Sequence, residues 1–140
     1  MQVNYIVKGS GTSWGSAPLL FNNSNGDANE KFAPRFDDVA ESYPGYGAAS
    51  TIKVPLSNTK ATLPFKWNSA YSSLANAMAS VLTLRTTFKG VIVHLQVSEG
   101  ATVHYYPNAI LQTQTSDVHG STVDHALQFI SDDVTTTVPS

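Results

Sequence analysis

Side chains that could carry chemistry are most concentrated between Ser116 and His125, where the chain reads SDVHGSTVDH. Serine, histidine and aspartate are the residue types of a serine hydrolase, and histidine with aspartate can also bind a metal ion. The surrounding VHGSTV lacks the GxSxG elbow that exposes a serine nucleophile, and no helix is predicted after it. The segment is typical instead of a turn that opens a strand, because Asp117 can bond to its own backbone and Gly120 can adopt a positive φ. We therefore predict that Ser121 is not a nucleophile.

Two further histidines, His94 and His104, lie in VIVHLQV and ATVHYYP, which alternate like neighbouring strands of a hairpin. With residues 98–100 as the hairpin loop, the two imidazoles face each other on the polar side of the sheet. They could begin a metal site, whose third ligand would come from Asp124, from His119 or from another chain. No HExxH-type motif accompanies them, so we interpret the pair as a polar surface contact and predict no metal ligand and no cofactor.

The last histidine, His125, shares its face of a predicted strand with apolar residues: Val123, Leu127 and Phe129. A histidine in such a position is usually a core residue hydrogen-bonded to backbone, and we predict that role here. The neighbouring carboxylates of residues 37–38 and 132–133 point to opposite faces of a strand, so they do not form acid/base pairs. We predict no catalytic residue and therefore a non-enzymatic protein.

The composition is unusual in its small number of charges. Only 13% of the residues are charged, against roughly 25% in ordinary soluble domains. The net charge of -2 argues against nucleic-acid binding by phosphate neutralisation, which requires clustered lysine and arginine. The lack of cysteine excludes disulfides, thiolate catalysis and cysteine-ligated zinc. Because interface cores are depleted in charge, this composition favours a chain whose surface is largely covered by partners.

The length and hydropathy predict one domain without membrane insertion. At 140 residues the chain can bury a core of its own. It has no run of about 18 apolar residues that would span a membrane. Its first residues, MQVNYIVKGS, alternate like a strand rather than forming the apolar centre of a targeting segment.

Alternation and turn signals divide this single domain, residues 1–140, into segments. They are a strand at 2–8, a long loop or arm at 9–49, strands at 50–67, a helix at 69–86, strand hairpins at 90–130 and a C-terminal extension at 131–140. Pro55 and Pro64 each remove a donor from the ladder, so their strands are predicted to lie at edges or to contain bulges. The predicted fold is mainly β with one α-helix: an antiparallel β-sandwich or near-barrel flanked by the helix, with a long loop after the first strand.

The helix is predicted from its periodicity, with Asn68 or Ser69 as its N-cap. Its apolar stripe, which we expect to face the core, consists of Tyr71, Leu74, Ala75, Met78, Val81 and Leu82. Its opposite face is neutral rather than charged and carries Ser72, Ser73, Asn76 and Ser80.

The loop at 9–49 is far longer than an ordinary connection, so it is either disordered or functional. Disordered segments are poor in aromatic residues, whereas this loop contains Trp14, Phe21, Phe32, Phe36, Tyr43 and Tyr46. Two interpretations remain open: these side chains fold back onto their own sheet, or they lie on a neighbouring subunit and form an interface. Stacking of the same aromatics on sugars would make the protein a carbohydrate-binding β-domain.

The order of strand, long aromatic loop, two strands, one helix and hairpins resembles the tail-tube fold of long-tailed bacteriophages, which type VI secretion tube proteins share. The segment from Pro64 to Asp133, with a helix before YYPNAIL and a final strand that begins at a glycine, resembles small phage tail and virion proteins. The resemblance implies identical subunits in stacked rings that form a hollow tube, joined by sheet extension and by the long loop.

The same resemblance implies a protein of the virion, assembled in the host cytoplasm with other virion structural proteins. DNA would pass through the tube as cargo without specific binding. A head–tail joining protein, a tail terminator or a capsid decoration protein would have a similar sequence, and these roles stay open as alternatives.

Overall fold

The computed structural model describes residues 1–22, 28–29, 32–37, 40–44, 51–55 and 60–139. Within them the chain forms ten strands and one α-helix, α1 (Leu74–Phe88). The strands are β1 (Gln2–Val7), β2 (Leu19–Asn22), β3 (Ala28–Asn29), β4 (Arg35–Asp37), β5 (Ala40–Pro44), β6 (Thr51–Pro55), β7 (Lys60–Ala70), β8 (Val93–Glu99), β9 (Thr102–His119) and β10 (Thr122–Asp132).

Eight of these strands form one antiparallel sheet in the order β2-β1-β8-β9-β10-β7-β3, and β4 also pairs with β7. Strands β5 and β6 pair with each other as a separate hairpin. The prediction of a mainly β fold with one helix is confirmed, and the sheet is not closed into a barrel in the described part of the chain.

The sheet curls so that its two ends face each other across the core. Phe21 of β2 lies with its ring centroid 4.9 Å from that of Trp67 and 6.0 Å from that of Phe65, both on β7 at the other end. The long strand β9 makes this curl possible, because it pairs with β8 through its first half and with β10 through its second. The core between the two halves includes Val3, Leu63, Leu95, Leu127 and Phe129.

A bulge marks the middle of β9. Pro107 has no N–H to donate, and Asn108 adopts the left-handed conformation with φ 54°. The pairing with β8 shifts register at this point, between Val93 and Leu95. The Asn108 amide donates to Nδ1 of His94 at 3.1 Å, so the bulge amide is satisfied by a side chain instead of the ladder.

The segment at 9–49 is not a structureless loop where the structure describes it, since it contains β2, β3, β4 and β5. The predicted extension at 131–140 is also partly paired. Strand β10 continues to Asp132, and the backbone of Thr135 exchanges two hydrogen bonds with that of Tyr105, at 2.8 and 2.9 Å. The strands expected at 50–67 are β6 and β7. Pro55 is the last residue of β6, in the two-stranded sheet, where the lack of a backbone N–H in proline is tolerated.

The helix begins later than predicted. Strand β7 continues to Ala70 because it pairs with β10 along its full length, so Asn68 and Ser69 are strand residues rather than caps. Ser73 is the actual N-cap, and its hydroxyl oxygen accepts from the backbone amide of Asn76 at 3.2 Å.

The predicted orientation of the helix is wrong. Leu74, Met78 and Leu82 are 53%, 56% and 68% exposed, whereas Ala77 and Phe88 are buried against the sheet. The small Ala77 lets the helix approach closely, and the ring of Phe88 inserts between two aromatic side chains of the sheet. The inward stripe therefore contains Ala77, Leu84 and Phe88, at spacings of seven and four residues. Of the predicted stripe, Tyr71 and Val81 are half-buried and the other four residues are exposed.

The predicted register of the β8–β9 hairpin is also wrong. Glu99 pairs with Thr102, which leaves a two-residue loop in which Gly100 has φ 58°. A positive φ at the first loop residue suits tight hairpins. Val97 consequently pairs with His104 rather than with Ala101, the residue that would lie opposite it across a loop at 98–100.

Candidate functional site

The segment SDVHGSTVDH forms the hairpin between β9 and β10. Its loop is Gly120–Ser121, with Gly120 at φ 61° as predicted, and His119 pairs with Thr122. Asp117 does not shape the bend as we expected, because it lies within β9 opposite Asp124. The strand ladder extends to the loop on both sides, so the turn is shorter than the polar sequence indicates.

The polar groups beside this turn form an exposed contact. Nε2 of His119 lies 3.5 Å from a carboxylate oxygen of Asp124, and both side chains are more than half exposed. The other carboxylate oxygen accepts from Nδ2 of Asn68 at 2.5 Å. The loop residue Ser121 is exposed, and its carbonyl oxygen accepts from the backbone amide of Tyr71 at 2.7 Å. An exposed pair of this kind contributes little to stability.

His125 faces the core, as its alternation predicts, and is only 2% exposed. Its Nε2 lies 3.1 Å from the hydroxyl of Tyr71, and its Nδ1 lies 3.3 Å from Oγ of Ser116. The imidazole also stacks against Trp67, with ring centroids 4.9 Å apart. Because a hydroxyl can donate or accept, these partners satisfy either tautomer of the neutral ring. We had predicted backbone partners, and two of the actual partners are side-chain hydroxyls.

His94 and His104 do not face each other, which corrects the arrangement that the three-residue loop implied. His94 is buried and bonded to the β9 bulge, whereas His104 is exposed opposite Val97. Among the residues that the structure describes, no three histidine, aspartate or glutamate side chains are grouped closely enough to hold a metal ion.

A cleft of about 780 Å³ lies between α1 and the end of the sheet where β7 and β10 meet, and we call it the helix cleft. Its wall includes Trp67, Tyr71, Asn76, Ser80, Thr83 and His125. Every described side chain that lines it is uncharged. The helix cleft therefore combines hydroxyl, amide and imidazole groups without a fixed charge. The sequence carried one signal of it, the neutral helix face with Asn76 and Ser80.

A second cleft, of about 740 Å³, is mainly apolar and includes Phe32, Phe36 and Tyr106 in its wall. The C-terminal segment borders it with Val134 and the two threonines that follow. Burial raises the pKa of the Tyr106 hydroxyl, and the nearby carboxylate of Asp133 raises it further. Burial also raises the pKa of Tyr5.

Of the six aromatic residues predicted to form a subunit interface, three pack on their own domain. Trp14 lies 5.3 Å from Tyr105 between ring centroids and donates from Nε1 to the carbonyl oxygen of Pro139, at 3.2 Å. Phe21 belongs to the core, and Phe32 stacks on Phe65 with centroids 5.1 Å apart. Phe36 is 41% exposed. The backbone of Tyr43 lies in β5, and Tyr46 lies outside the described residues. The interface assignment stays a prediction.

The helix presents a continuous apolar strip to solvent, formed by Leu74, Met78 and Leu82, which we call the α1 ridge. These residues follow one another at four-residue spacing, so they lie along one side of the helix. The helix cleft includes residues of the opposite flank, among them Asn76 and Thr83. The helix thus separates an apolar surface from a polar one.

In the described part of the chain, no helix has the length and apolar character needed to cross a membrane. No family model matches the chain, and no curated protein matches it.

Proposed function

We propose that the chain is a non-enzymatic structural subunit of a virion, similar to a tail-tube protein, which assembles with copies of itself into stacked rings. The observation that carries the proposal is the α1 ridge, an apolar strip on the outer side of the only α-helix in the described residues. Exposed apolar strips of this kind are characteristic of surfaces that another protein covers.

The ridge exposes enough apolar surface for its burial to contribute to association. Full burial of a leucine or methionine side chain contributes about 1.5–3 kcal/mol. The three ridge side chains are between half and two thirds exposed. Covering them would therefore contribute about 3–5 kcal/mol per subunit. In a closed ring, the ridge of each subunit would pack on a different surface of the next subunit, so each interface would gain this amount once.

The charge distribution favours copies of the same chain as partners. The helix contains no acidic residue, and Arg85 is its one charged side chain. Each helix therefore brings a single charge to a contact between copies, and like-charge repulsion is weaker there than it would be for a highly charged chain. The low charge of the whole chain acts in the same direction.

Sedimentation of ridge variants tests this proposal. Met78→Ser and Leu82→Ser make the ridge polar without touching the core, so we expect the assembly to dissociate while the subunit stays folded. Val138→Ser is the matched control, because Val138 is 58% exposed and lies outside the helix. We expect it to leave the assembly intact.

Two results would contradict the proposal. One is a wild-type protein that sediments as a monomer at micromolar concentration. The other is an assembly that the double variant Met78→Ser/Leu82→Ser does not weaken. Electron micrographs of the wild-type assembly would separate a tube subunit from the joining, terminator and decoration roles, because only a tube subunit stacks its rings.

A further inference from the structure

We propose that the helix cleft binds a neutral, hydroxyl-rich ligand of the saccharide class. Its volume of about 780 Å³ falls within the roughly 300–1,000 Å³ of small-molecule sites. Assembly through the α1 ridge would leave the helix cleft open, because the ridge lies on the opposite flank of the helix.

The lack of charge in the wall determines which ligands are compatible. Among the described residues, the helix cleft has neither a lysine or arginine to pair with a phosphate or carboxylate, nor an acidic group to pair with an amine. Moving a charged ligand out of water without such a partner is costly. A neutral ligand meets no such cost.

The helix side of the cleft offers hydrogen-bond acceptors. Oγ of Ser80 donates its proton to the carbonyl oxygen of Ala77 at 2.6 Å, and Oγ1 of Thr83 donates to that of Ala79 at 2.9 Å. A hydroxyl has one proton and two lone pairs, so both oxygens keep lone pairs that can accept from a ligand. Ligands rich in O–H donors match this wall.

The sheet side of the cleft offers an adaptable pair of groups. The Tyr71 hydroxyl and Nε2 of His125 lie 3.1 Å apart, and a hydroxyl ligand can donate to or accept from the tyrosine oxygen. The hydrogen bond to Ser116 and the stacking against Trp67 fix the orientation of the imidazole. Because Trp67 is only 5% exposed, recognition here relies on hydrogen bonds rather than on stacking of a sugar against its ring.

Ligand-observed saturation-transfer NMR tests the proposal on the whole protein, and it works for a free subunit or for a large assembly. The probes are lactose, maltose and chitobiose as neutral sugars, with glucuronate and glucosamine as charged ones. We expect at least one neutral disaccharide to bind with a dissociation constant of about 1 mM, and the charged sugars to bind more weakly. Saturation transfer to none of the neutral sugars, or stronger binding of a charged one, would overturn the proposal.

The chain provides a matched pair of variants that place the binding in the helix cleft. Thr83 and Thr87 both donate to the carbonyl oxygen four residues earlier, but only Thr83 lines the cleft. Thr83→Val should weaken the neutral sugar about fivefold, the size of one lost hydrogen bond, and Thr87→Val should leave it unchanged. Tyr71→Phe should also weaken it about fivefold by removing the hydroxyl. Wild-type affinity in both Thr83→Val and Tyr71→Phe would show that the sugar binds elsewhere.

Discussion

The orientation of α1 predicts losses of very different size for two truncations on the same helix. Phe88 is 1% exposed, and its ring centroid lies 4.8 Å from that of Tyr5 and 5.3 Å from that of Phe129. Phe88→Ala removes this buried ring and leaves a cavity, which costs about 3–5 kcal/mol. Leu82 is 68% exposed, so Leu82→Ala should change the free energy of unfolding of the isolated subunit by only about 0.5 kcal/mol.

Urea unfolding followed by circular dichroism measures both free energies, and thermal unfolding supports them. For a chain of this size, the cost expected for Phe88→Ala corresponds to a decrease in Tm of about 10–17 °C. Measurements at two protein concentrations separate packing from association, because only association depends on concentration. A concentration-independent loss for Leu82→Ala as large as that for Phe88→Ala would refute the orientation, since it would place the predicted stripe against the core.

Three further predictions concern the turn, the buried imidazole and the alkaline limit of stability. Gly120→Ala should lower the free energy of unfolding in urea by about 1 kcal/mol, because a φ of 61° is unfavourable for alanine although its methyl group would meet no other atom. Gly15→Ala is the control without a positive φ and should be neutral, and equal losses in the two variants would contradict this reasoning. Ser116→Ala should cost about 1 kcal/mol by removing one partner of the His125 ring, and an unchanged urea midpoint would contradict it. Because the pKa of Tyr106 in the folded protein is raised above 10.0, the neutral hydroxyl contributes fully to stability below pH 10.0, and this contribution is lost as pH rises through the folded pKa. Tyr106→Phe should therefore reduce the loss of stability at alkaline pH. An unaltered pH profile would contradict burial of Tyr106 as the cause of that loss.

The local features of the fold were predictable where neighbouring residues alone determine them. Strict alternation of apolar residues around His125 predicts that its side chain faces the core. Gly120 predicts the position of the loop between β9 and β10. The existence of one helix follows from its period. Its orientation does not, because apolar residues form two overlapping stripes. Which stripe packs depends on the contact of Phe88 with Tyr5 and Phe129, which are distant in the sequence.

The hairpin register and the candidate site depended on distant partners as well. Gly100 can adopt its positive φ in either a two-residue or a three-residue loop, so the turn residues alone do not determine the pairing of β8 with β9. The bulge at Asn108 shifts that pairing again. The helix cleft was visible only as a neutral helix face, since its other wall, with Tyr71 and His125, comes from the sheet.

The mass of the wild-type particle in native mass spectrometry tests the central claim of self-assembly most directly. We predict a closed ring, observed at a discrete multiple of the 15.0 kDa subunit mass at micromolar concentration, with stacked rings at higher concentration. A spectrum containing only the 15.0 kDa species would contradict the account, because the α1 ridge would then remain uncovered by other copies of the chain.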